Sequence, residues 1–119
     1  MFKSILALSF IFGVGTAFGQ VPDGVYVDGT IDCGSWVKAR KENRAEYFEH
    51  FVIGFVNGLA LGRFVEIWQA DGIKVTRDQV HLWMDKFCAD NPLNSVTAGA
   101  MQLANERTRG EFGKALRKK

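Results

Sequence analysis

The chain predicts an all-α fold: a small disulfide-closed bundle of about four helices around a central, glycine-striped helix. Three observations carry that reading. Residues 47–68, YFEHFVIGFVNGLALGRFVEIW, are apolar on nearly every face between Phe51 and Gly62, as expected of a helix that others surround. Helix start signals recur downstream, at Thr76 and at Asn91-Pro92. Two cysteines, Cys33 and Cys88, stand on either side of the apolar stretch.

The chain opens MFKSILALSFIFGVGTAFGQ, with a lysine at position 3, an apolar run, and Ala17 and Gly19 at the −3 and −1 positions of a cleavage site. That is the grammar of a secretory signal peptide spanning residues 1–19. The run from Ile5 to Phe18 has 14 residues, short of the roughly 20 that a membrane helix needs. No stable membrane span is expected after cleavage. With no cysteine at the cleavage point and no Asn-x-Ser/Thr acceptor, the expected address is periplasmic or secreted, a bacterial periplasm fitting best. Residues 20–119 then make a single helical domain near the lower end of comfortable single-core size. Such cores need reinforcement. Cys33 and Cys88 lie in the exported part and are expected to pair in an oxidising compartment, removing roughly 4 kcal/mol of unfolded-state entropy. The rivals, a metal pair or a catalytic thiol, lack a CxxC, an HExxH and any His/Cys cluster at ligand spacing.

Residues 20–32 carry Pro22, Gly24 and Gly29 and read as an arm. From Cys33 the pattern turns helical, with Ser35 as a candidate cap, Trp36 and Val37 inside, and Lys38, Arg40, Lys41, Glu42 and Arg44 outside. Nothing between Arg44 and Tyr47 punctuates the chain, so this helix can run into the central one. In the central helix Gly54, Gly58 and Gly62 recur every four residues, each costing about 1 kcal/mol relative to Ala. The expected compensation is a smooth stripe against which another helix lies close; a kink or stop at Gly58 or Gly62 is the alternative. Asp71-Gly72 breaks the chain, and Thr76 with Gln79 forms a capping box for a helix through Cys88, whose Val80, Trp83, Met84 and Phe87 share one face. Asn91-Pro92 starts the last long helix, with Leu93, Val96, Ala100 and Leu103 at helical spacing and small residues that suit the glycine stripe. Phe112 and Leu116 can pin a final turn.

No constellation singles out catalytic, cofactor-binding or metal-binding residues. Glu46, Glu49, Glu66, Asp85 and Asp90 fit exposed helical positions or caps, without a pair set apart for acid/base work. Glu46 and His50, four residues apart, form a candidate pH-responsive pair; an ordinary, partly exposed histidine is the plainer reading, and it holds for His81 too. Asn57, a polar amide on an apolar helix, is the candidate for a buried specifying hydrogen bond or, alternatively, a ligand contact. Trp36, Trp68 and Trp83 read as core or core rim. Residues 20–106 hold 8 basic and 12 acidic side chains, a net −4, whereas residues 107–119 hold 6 and 1, a net +5. The body is acidic and the tail basic. Export argues against nucleic acid as the tail's partner; anionic lipid, an acidic protein, or solubility alone are its other uses.

Taken together, the cysteine near the first helix, the apolar GFVNG helix, WMDKFCADNPL with its second cysteine, and the Ala-rich last helix resemble small periplasmic all-α proteins of the HdeA-like group. That group includes acid-stress chaperones, YmgD-type proteins and similarly built immunity proteins of type VI secretion amidases. The resemblance spans residues 33–106 and implies a disulfide-closed helical bundle, Cys33 to Cys88, that works by binding protein. Against the chaperones of the group, this central helix is more apolar and striped with glycine. The expected function is therefore a non-catalytic periplasmic protein that binds another protein, with a second copy of the chain as a further candidate partner. An acid-stress chaperone is one alternative. A small-ligand or lipid carrier, with a cavity beside Gly54, Asn57 and Gly58, is another.

Overall fold

A computed structural model describes residues 28–116, so the expected signal peptide, the arm as far as Val27 and the last three residues of the basic tail lie outside the described residues. Among the described residues five α-helices follow one another: α1 (Cys33–Lys41), α2 (Glu46–Arg63), α3 (Arg77–Asp90), α4 (Val96–Arg107) and α5 (Glu111–Leu116), with a 3-10 turn at Ala70–Gly72. Among the described residues there is no β-strand, only an isolated antiparallel bridge between Asp32 and Ser95. That bridge ties the start of α1 to the start of α4, through Val96 N–H to the Ile31 carbonyl (2.8 Å) and Cys33 N–H to the Asn94 carbonyl (2.9 Å). Cys33 and Cys88 form a disulfide with Cα atoms 4.9 Å apart, joining α1 to α3.

The middle of the fold is α4, not the glycine-striped helix. Val96, Thr97, Gly99, Ala100, Met101, Leu103 and Ala104 are all buried on α4, which packs against α2, α3 and α5. On α2 only Val52 and Val56 are fully buried. The expected stripe does no packing among the described residues: a Cβ placed at Gly54, Gly58 or Gly62 would meet nothing of them within 4 Å. Close approach occurs instead at Gly99, where a Cβ would stand 2.7 Å from both Met84 Sδ and Phe87 Cδ1. The small residues of α4 therefore receive the bulky face of α3. An apolar pattern marks what a helix can bury, and the helices among the described residues leave one side of α2 uncovered.

The helix ends depart from the sequence expectations in ways that local chemistry explains. α1 does not run into α2, because Asn43 adopts φ +52° between them, a left-handed conformation that Asn tolerates better than most residues. Asp32, not Ser35, caps α1, accepting Ser35 N–H at 2.8 Å and the Ser35 hydroxyl at 2.7 Å. α2 is continuous through Gly58 and Gly62 and ends only at Phe64, which takes φ +53°. The Thr76/Gln79 capping box forms as expected. Asn91 closes α3 instead of opening α4, its Nδ2 donating to the Phe87 carbonyl. Ser95 caps α4 by accepting Ala98 N–H. Leu93 consequently falls in the connecting turn and is fully exposed.

The basic tail begins as part of the fold. Arg107, the last residue of α4, donates to the carbonyls of Ile67 (3.1 Å), Ala70 (3.4 Å) and Ile73 (2.6 Å) and so fixes the α2–α3 connection. Phe112 is buried on α5, and Gly113 N–H donates to Asn105 Oδ1 at 3.0 Å, a close approach that a side chain at 113 would obstruct.

Candidate functional site

The most polar inter-helix contact is a charged cluster joining α1, α2 and α3. Arg40 presents Nε and Nη2 to the two carboxylate oxygens of Asp85 at 2.9 and 2.8 Å, while its Nη1 reaches Glu49. Trp36, wholly buried, donates its indole N–H to the same Asp85 at 2.8 Å and lies under the guanidinium. Hydrogen bonding to Asp85, with a smaller contribution from Glu49, raises the Arg40 pKa above its already high ordinary value, so this cation stays charged throughout the working range. The fork geometry suits an arginine holding a carboxylate in place. Its function is to lock helices. Beside it His81 is buried, its Nε2 being the one buried side-chain polar atom among the described residues that lacks a hydrogen-bond partner. It sits with its ring tilted against Trp36, and the expectation of a partly exposed histidine is corrected there.

The residues singled out from sequence fall in three places. Cys33 and Cys88 meet in the core. Glu46 and His50 are both exposed, and no hydrogen bond or ion pair joins them; at the solvated start of α2 nothing holds the two side chains together. Asn57 is exposed, not buried, yet it makes a defined contact, accepting the Trp68 indole N–H at 2.8 Å. That bond orients Trp68 over the α2–α3 connection. Among the described residues no group of three or more His, Cys, Asp or Glu gathers as metal ligands, and no helix is long and apolar enough to cross a membrane.

What sequence reading missed is the surface of α2. Gly54, Asn57, Gly58, Leu61 and Gly62 form its uncovered side, and no charged residue occurs between Phe51 and Gly62. The face ends in Leu61, 76% exposed, and Phe64, 97% exposed. Phe64 combines a left-handed backbone with a ring in water, two costs at one residue. Next to it a cavity of about 490 Å³ opens between Phe64–Asp71 and the α4–α5 corner. Arg109 and Asp71, both also left-handed, close an ion pair at 3.0 Å beside it. The one signal in the sequence was Phe64 itself, an aromatic just past Arg63, where the uncharged run ends.

These features define a small disulfide-bonded all-α protein with an uncharged, partly apolar helix face turned outward. No family model matches the chain, and no curated protein or solved structure matches it. The likeness to the HdeA-like group accordingly rests on the residues quoted above.

Proposed function

We propose that this is a non-catalytic protein of the periplasm or cell exterior that binds another protein through the uncovered face of α2. The observation that carries the reading is the end of that face, where Leu61 and Phe64 stand almost wholly in solvent next to a strip without charge. Large apolar side chains held in solvent beside an uncharged strip support an association site, and an aromatic anchor next to a concave wall suits a hot spot. The glycines let a partner approach the helix backbone closely. The exported address follows from the signal-like opening, and the disulfide accords with an oxidising compartment. An immunity-like or uncharacterised HdeA-like relative belongs to the same reading.

Affinity capture with the folded, oxidised chain at neutral pH and at about pH 3 tests it. The expected result is a discrete partner at neutral pH that is lost on Phe64→Ala or Leu61→Ser. Silence at neutral pH with many clients bound in acid would replace the reading with an acid-stress chaperone. Recovery of the chain's own copies alone would make the face a homodimer interface.

A further inference from the structure

On the flank of α2, away from Leu61 and Phe64, runs a groove of about 580 Å³, within the size range of small-molecule sites. Its apolar lining comes from Ile53 of α2 and from Trp68 and Val75 of the α2–α3 connection. The walls are fixed before any ligand arrives. Trp68 is oriented by Asn57, its carbonyl accepts Val75 N–H at 2.9 Å, and the connection is held from behind by Arg107. Asn57 spends only its oxygen on Trp68, which leaves its side-chain N–H groups as donors at the groove.

Charge gives the groove its second character. Lys74 and Arg77 stand on its rim, and neither makes a hydrogen bond or ion pair with any described residue, whereas Arg40, Arg44, Lys86 and Arg109 are all paired with carboxylates. Among the described residues Asp78 is the one carboxylate in the lining. Two unpaired cations against one anion make a locally positive rim on a body whose net charge is −4. Apolar floor, aromatic wall, amide donor and spare cations together match one chemistry. We propose that the groove binds a single-chain amphiphile, its hydrocarbon lying on Ile53, Trp68 and Val75 and its anionic head group held by Lys74, Arg77 and the Asn57 amide. The groove borders the protein-binding face at Asn57, but Lys74, Val75 and Arg77 lie outside the Leu61–Phe64 end, so substitutions at 61 and 64 test one assignment and substitutions at 74 and 77 the other.

The test is an NMR titration of the full oxidised chain with dodecanoate below its micelle concentration, with dodecanol as the uncharged comparison. The expected result is a saturable one-to-one shift of the Trp68 indole N–H and Asn57 amide signals. Changing Lys74→Gln and Arg77→Gln together, both at exposed positions, should weaken dodecanoate binding roughly five- to tenfold and leave dodecanol binding unchanged. The absence of a saturable shift at Trp68 would overturn the proposal. So would shifts centred on Leu61 and Phe64, or equal binding of acid and alcohol that ignores the two cations.

Discussion

Asp32 holds its carboxyl below the usual carboxylate range because Ser35 donates both its hydroxyl and its backbone N–H to it. The folded state therefore binds fewer protons than the unfolded state as this group titrates. Its contribution to stability is full above the unfolded value of about 3.9 and is lost as pH falls through the lower folded value. Asp32→Asn, which still caps α1 but carries no charge, should lower stability at neutral pH and flatten its fall on the acid side, the two proteins converging once Asp32 is protonated, as read by urea unfolding at a series of pH values. Phe64 presents the opposite bargain. A glycine suits φ +53° better than a phenylalanine does, so Phe64→Gly should stabilise the fold by about 1 kcal/mol in denaturant unfolding. The same change should abolish partner capture. A variant that lost stability along with binding would mean that Phe64 serves the core, contrary to its exposure.

Among the helices, the glycines separate what packs from what does not. Gly58→Ala fills open space and should raise stability by up to about 1 kcal/mol. Gly99→Ala drives a methyl into Met84 and Phe87, both buried and the latter stacked on Trp83. Overpacking of this kind costs about 1–3 kcal/mol, enough to outweigh the propensity gained, and thermal melts of the two variants should move in opposite directions. The contrast also shows which elements were legible in advance. The capping box at Thr76 and the face of α3 follow from residue chemistry within one element, and the cysteine pair from there being two cysteines in the chain; all stand where the pattern puts them. The covered side of α2 does not follow from α2, whose apolar residues run round the helix; it depends on where α4 lies. Asn91-Pro92 misled for a similar reason, since Ser95 is better placed to cap once Ile31 and Asn94 have tied α4 to α1. The Arg40–Asp85 pair, 45 residues apart in sequence, carries no local signal at all.

For the molecule as a whole, the disulfide and the uncovered face are linked, because a small core that leaves one side of a helix apolar and exposed has less burial to rely on. Closing the loop between residues separated by 55 positions contributes roughly 4 kcal/mol in the chain-entropy model. Reduction should therefore lower the melting temperature by tens of degrees or unfold the domain at physiological temperature, as circular dichroism with and without reductant would show. The measurement that bears most directly on the central claim replaces Leu61 with a photoreactive amino acid, and Lys86, exposed on α3, as the comparison. Irradiation of producing cells at neutral pH should give one discrete adduct with a different protein from position 61 and none from position 86. No adduct at 61, the same mixture from both positions, or an adduct of the chain with itself alone would contradict the account.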